Sequence, residues 1–134
     1  SLGMSYLFLD SRFTEEARVW WVGAASEEVW QDGGRAQTAL ATIARERSRL
    51  ANDLRGVCVV GGPGRFSGLR VGVLYAHVLA RWYRVPLYAL TPDDVVSRAS
   101  RQAFVAGIIT GTHSATSYVA PVYDREPTIT TPRV

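Results

Sequence analysis

The chain has 134 residues, 47% of them hydrophobic, and fifteen basic against twelve acidic side chains give a formal net charge of +3. That is one domain with enough apolar material for a core, and no apolar run or N-terminal pattern reads as a membrane span or a signal peptide. Every basic residue is arginine, which excludes a P-loop lysine and a Schiff-base lysine. The single Cys58 excludes a disulfide framework and predicts a reducing, cytoplasmic compartment.

Ser1, Leu2 and Gly3 read as an expression scar ahead of Met4, the expected natural start. Tyr6 to Asp10 is a strand that ends on an acid. Arg18 to Ala25 and Glu28 to Gln31 are two further strands, and the short breaks between the three predict antiparallel neighbours. From Arg35 to Leu54 the period becomes helical, with Ala36, Ala39, Leu40, Ile43, Leu50 and Leu54 on one face. Val57 to Val60 is a short β-branched run, the pattern of a strand in a sheet covered on both faces. Gly61, Gly62, Pro63 and Gly64 stop it, and three glycines around a proline allow a tight turn. A second helix follows from Gly68 to Tyr83. Its apolar side chains sweep roughly 260° of the helix, where a surface helix needs a stripe of about 100°. His77, Arg81 and Arg84 share the polar arc that remains, and so wide an apolar surface predicts a second packing partner beyond the sheet.

Val85 to Leu90 is the next strand, and Thr91-Pro92-Asp93-Asp94 reads as an N-cap, an N1 proline and an acidic first turn. A short helix to about Ser100 is expected, then a hairpin of Phe104–Thr110 and Ser117–Tyr123 around Gly111-Thr112-His113-Ser114. Residues 126–134 read as a loose, Pro/Thr-rich tail. The fold class is therefore α/β, a mixed sheet with helices packed on it.

The order of three antiparallel strands, a helix, a strand and a helix resembles the repeating lobe of the actin/Hsp70-like ATPase (ribonuclease H-like) superfamily. The stretch Gly62-Pro63-Gly64-Arg65-Phe66-Ser67-Gly68-Leu69-Arg70-Val71-Gly72, followed by an apolar helix and Val85-Pro86-Leu87-Tyr88, resembles the TsaB (YeaZ) family and its GPGSFTGLR-type loop. Arg65 stands where that family has Ser, and Ser67 where it has Thr. The His-Ser pair that opens the family's first helix is replaced by Arg35-Ala36-Gln37-Thr38. The resemblance spans Met4 to Tyr123 and implies a lobe over 4–125. Family members run to two lobes, so the chain reads as a shortened member with a reduced second lobe. The resemblance also implies a function: a non-catalytic partner of the TsaD subunit, which attaches threonylcarbamoyl to adenosine 37 of tRNA alongside the ATPase TsaE. It further implies a homodimer when the protein is alone, with contact to tRNA weak or indirect and none to membranes.

Other chemistries are weaker. Asp10 to Thr14 lies where the superfamily places its first phosphate loop, but it has no glycine through which backbone amides would approach a phosphate, and a plain turn is expected. The loop Gly62, Pro63, Gly64, Arg65, Phe66, Ser67, Gly68, Leu69 and Arg70 opens a helix and would offer amides to an anion, with Arg65 or Arg70 assisting; a structural turn is the simpler reading. Ser67 lacks the flanking glycines of a nucleophile elbow, because Arg65 and Leu69 occupy those places. His77 is followed four residues later by Arg81, so the paired-histidine helix of the metal-bearing subunit is absent, and no cofactor or metal is expected. Cys58 reads as core. Arg45, Arg49 and Arg55, and Arg81 and Arg84, form stripes that are more simply solvated faces than base-reading surfaces.

The helix beginning at Gly68 is the best functional lead. One stripe, Gly72, Tyr75, Ala76, Leu79 and Tyr83, is assigned to a partner together with Ala36, Leu40 and Ile43 of the first helix. Val71, Leu74 and Val78 are assigned to the sheet. Periodicity alone does not say which stripe is inside. Two other classes stay open: a small nucleotide- or phosphate-binding enzyme using the loop from Gly61 to Gly68, and a free-standing homodimeric interaction module.

Overall fold

The computed structural model describes residues 3–124. Five strands form one mixed sheet: β1 (Ser5–Asp10), β2 (Arg18–Val22), β3 (Glu27–Asp32), β4 (Leu54–Val60) and β5 (Leu87–Leu90), in the order β3-β2-β1-β4-β5. β1, β2 and β3 pair antiparallel through short turns, while β4 runs parallel to both β1 and β5. Each parallel neighbour is reached through helix, as parallel pairing demands.

Strand side chains alternate between two cores. Leu7, Leu9, Val19, Trp21, Val57, Val59 and Leu87 point to one face, and Phe8, Trp20, Val22, Cys58, Val60, Tyr88 and Leu90 to the other. Both faces are covered, so Val57 to Val60 has to be apolar throughout. On the first face lie α1 (Ala36–Arg45), α2 (Arg47–Asp53) and α3 (Phe66–Tyr83). The expected single helix from Arg35 to Leu54 is thus two. Glu46 N–H reaches back only to Ile43 O, a tight final turn that ends α1.

The second face is covered by α4 (Arg98–Thr110), which follows a 3₁₀ turn at Pro92–Val95. This corrects the predicted hairpin. Phe104–Thr110 is helical, and Arg101, Phe104, Val105 and Ile108 recur at helical spacing against Phe8, Trp20 and Tyr88. Ser97 caps the helix through the Ser100 N–H, and Gly111 closes it in the left-handed conformation at φ 84°. Ser117–Tyr123 forms no strand. It returns as an irregular strap to the α3 side, with isolated bridges joining Thr116 to Leu87 and Tyr123 to Gly64. The tail at 126–134 and the first two residues of the expected scar lie outside the described residues.

The α3 helix buries one stripe against the sheet, and it is the opposite of the stripe predicted to face it. Leu69, Gly72, Val73, Ala76, Leu79 and Ala80 are buried against the sheet, while Leu74 and Val78 are exposed. Gly72 has to be small because an added Cβ would lie 2.0 Å from Ser11 Oγ. Ala36 and Ile43 of α1 are buried in the same core. Five of the residues assigned to an interface, Ala36, Ile43, Gly72, Ala76 and Leu79, are therefore core of this chain; the small ones admit the sheet, not a partner. Leu40, Tyr75 and Tyr83 are only partly buried.

Candidate functional site

Two regions gather the remaining candidates: the glycine loop and the outer face of α1 and α3. The loop turns because Gly62 adopts φ 123° and the Gly62–Pro63 peptide is cis. Four backbone groups at its start are engaged within the chain. Gly64 N–H donates to Val122 O at 3.1 Å, Val122 N–H to Gly61 O at 2.7 Å, Asp124 N–H to Gly64 O at 3.0 Å, and Arg65 N–H to Arg12 O at 2.7 Å. A Cβ on Gly62 would meet Val122 O, and one on Gly64 would meet Arg12 backbone atoms. The glycines thus admit the strap on one side and the turn after β1 on the other, which is the work of a structural junction. Pro63, Arg65, Phe66, Ser67 and Arg70 are exposed, Leu69 is core, and Gly68 rests against Ser11 O.

Asp10 is buried and held by Arg12, whose Nε and Nη2 donate to its two oxygens at 3.0 Å each, while Arg12 N–H adds a third bond. The carboxylate is consumed by its own turn. Both ring nitrogens of His77 are also occupied. Nδ1 lies 2.7 Å from Val73 O, and Nε2 accepts the Val119 N–H at 3.0 Å, which fixes the tautomer with the proton on Nδ1. His77 thereby ties the strap to α3, a role the sequence reading missed because the two partners are 42 residues apart. His113 stacks on Phe104 with ring centroids 4.1 Å apart. Cys58 is fully buried, and burial pushes its thiol well above the ordinary value. Of the arginine stripes, Arg49 is paired with Glu28 at 2.5 Å and Arg55 lies beside Met4 Sδ. Arg45, Arg81 and Arg84 make no ion pair among the described residues.

Outside the sheet-facing residues of α3 runs an apolar stripe. Leu74, Val78 and Trp82, spaced four apart, are 61%, 51% and 78% exposed, with Val71 and Tyr75 half-buried beside them. On one flank Tyr75 Oη donates to Leu40 O of α1 at 3.5 Å. On the other, Tyr118, Pro121 and Tyr123 of the strap form a groove with Arg70, Leu74 and His77. Thr42 of α1 donates to Gln31 of β3, which ties α1 to the sheet edge, while the Tyr75 bond ties the half-buried Leu40 to the flank of α3. The i, i+4, i+8 spacing of Leu74, Val78 and Trp82 is visible in the sequence, but the wide apolar arc admits two stripes and does not single this one out.

The family model described as "TsaD: tRNA N6-adenosine threonylcarbamoyltransferase" matches residues 35–120, well over half of the chain. The chain belongs to this TsaD family. No curated protein matches it significantly. Among solved structures it is similar to YeaZ from Pseudomonas aeruginosa, at 20% identity and a TM-score of 0.58, over 81% of this chain and 50% of that one. It is likewise similar to an uncharacterized protein with similarity to peptidase YeaZ from Pseudomonas aeruginosa, at 22% identity and a TM-score of 0.55, over 81% and 50% of the two chains. At these identities the likeness shows the fold, the actin-like lobe with its mixed sheet. The chain spans about half the length of the solved structures it matches. Within the TsaD family match fall α1, the glycine loop, α3 and most of the strap, the elements that carry both candidate regions. Among the described residues no helix is long and apolar enough to cross a membrane.

Proposed function

We propose that the chain is a non-catalytic partner in the synthesis of threonylcarbamoyladenosine in tRNA, working in the cytoplasm and docking a TsaD-type catalytic subunit through α1 and α3. The observation that carries this reading is the exposed stripe of Leu74, Val78 and Trp82, bordered by Leu40 and Tyr75, on a member of a tRNA-modifying family. A run of three large apolar side chains on one helix face marks an interaction surface more than a random scatter. The subunit would act by holding its partner in a productive arrangement, with a TsaE-type ATPase acting on the assembly and tRNA met through the partner. The non-catalytic part rests on where the titratable groups go: Asp10, His77 and His113 each serve the fold.

The phosphate-binding alternative is less well supported, because the glycines of the loop make room for the strap and the Arg12 turn, and the Gly64 and Arg65 N–H groups already donate to Val122 O and Arg12 O. Light scattering on a sizing column, with this protein and the TsaD-type subunit of the same genome, tests the docking. A mixed complex that Leu74→Glu disrupts is the expected result. No complex at any ratio, with both proteins folded, overturns the reading.

A further inference from the structure

The rim of the docking face carries a second message, which rests on the docking surface just proposed. Within α1 and α3 the charged residues are Arg45, Arg70 and Arg81, all exposed. The caps add Arg35, Arg65 and Arg84, and one acid, Glu46, which lies 4.0 Å from Arg49. At the opposite end lie two further acids, Glu15 beside Arg35 and Ser67, and the exposed Asp124, whose N–H donates to Gly64 O next to Arg65. None of these six arginines is ion-paired among the described residues. Helix electrostatics account for Arg45, Arg81 and Arg84, which sit at C-terminal ends where a cation is favoured. They do not account for Arg65 and Arg70 at the start of α3, where the dipole favours an acid.

Six arginines against Glu15, Glu46 and Asp124 leave the surroundings of the apolar stripe net positive. Two copies meeting on this face therefore carry like net charge, and like charges at a partly desolvated rim repel. We infer that this face selects a protein partner presenting an apolar helical surface rimmed by Asp and Glu, and that the arginine rim disfavours pairing of the chain with itself. The homodimer expected from the family resemblance is thereby disfavoured on this face. Leu74 and Val78 are aliphatic, and Trp82 is the single exposed aromatic among the helix residues of the stripe, so a protein suits the surface better than stacked bases do.

The chain itself supplies the probe. A variant with Arg45→Glu, Arg70→Glu and Arg81→Glu keeps the apolar stripe and turns the rim acidic. At low ionic strength the unaltered chain and the variant should each run as monomers. Their equimolar mixture should associate at least about tenfold more strongly than either alone, and the gain should fade toward roughly 1 M salt, where the screening length is about 3 Å. A low-salt dimer of the unaltered chain that Val78→Glu abolishes overturns the inference. So does a mixture that stays monomeric while both proteins are folded. Co-elution of the unaltered chain with bulk tRNA, lost in the variant and without a mixed dimer, would assign the arginines to nucleic acid and overturn it too. If the variant does not fold, the unaltered chain decides: self-association that rises with salt supports the inference, and association strongest at low salt overturns it. None of these measurements contains the TsaD-type subunit, so failure of that docking is read separately.

Discussion

Ser11 and Gly72 show how tightly α3 is seated. Ser11 is fully buried and its Oγ has no hydrogen-bond partner, while its side chain fills the space that a Cβ on Gly72 would need. A buried hydroxyl without a partner costs about 1–3 kcal/mol, so Ser11→Ala should leave the melting temperature unchanged or raise it. Gly72→Ala should destabilise by about 1–3 kcal/mol through overpacking, and Ser11→Gly in the same chain should return most of that loss. Thermal melts of the two single variants and the double variant check both statements. At the sheet edge, two bonds from Arg49 hold Glu28 below its ordinary value of 4.5. A carboxylate with a lowered folded pKa adds stability above its unfolded pKa, and that stability is lost as pH falls through the folded value. Glu28→Gln should therefore flatten the acid limb of a stability-against-pH curve below about pH 4.5. The effect should be small, since the Glu28 side chain is 38% exposed and water screens the pair.

At the scale of elements, α4 is held to the sheet by one ion pair. Arg101 Nε and Nη2 donate to the two oxygens of Glu27 on β3 at 2.6 and 3.0 Å, its Nη1 donates to Val95 O, and its guanidinium lies 4.5 Å from the Trp20 ring centroid. Both partners are nearly buried. Arg101→Met should cost about 3–5 kcal/mol by leaving Glu27 uncompensated, and adding Glu27→Leu should recover much of it; chemical denaturation of the three variants measures both steps. This element was also the least legible in the sequence. Phe104-Val105-Ala106-Gly107-Ile108-Ile109-Thr110 has a β-rich composition, and local propensity favours a strand. The second sheet face overrides it: Phe8, Trp20, Cys58 and Tyr88 need a cover, and the helical spacing of Arg101, Phe104, Val105 and Ile108 provides one. The strands, by contrast, could be read directly, because runs such as Val57–Val60 and Tyr6–Asp10 are apolar on both faces of a covered sheet. The strap was not legible, since its anchors at His77, Gly61 and Gly64 are long-range bonds to the strap's own backbone groups, with no local pattern.

For the whole molecule the question is which side of α3 belongs to the fold and which is left for a partner. An arc of roughly 260° fits either assignment, and the sequence pattern could not separate adjacent positions such as Val78 and Leu79. Packing separates them: Val78 is 51% exposed and Leu79 only 5%, because the sheet, α1 and the strap leave a single strip of α3 open. The two positions should therefore respond oppositely to the same charge. Leu79→Glu removes a buried side chain whose truncation alone costs about 2–5 kcal/mol and puts a carboxylate into an apolar core cluster, so the chain should lose its cooperative melt. Val78→Glu should stay within about 0.5 kcal/mol of the unaltered chain, as surface changes generally do, while abolishing association through the α1–α3 face. Circular dichroism melts and sizing on the pair would decide it. A folded Leu79→Glu protein that no longer binds its partner would return the interface to the inner stripe, and a Val78→Glu protein that binds normally would move it off α3 altogether.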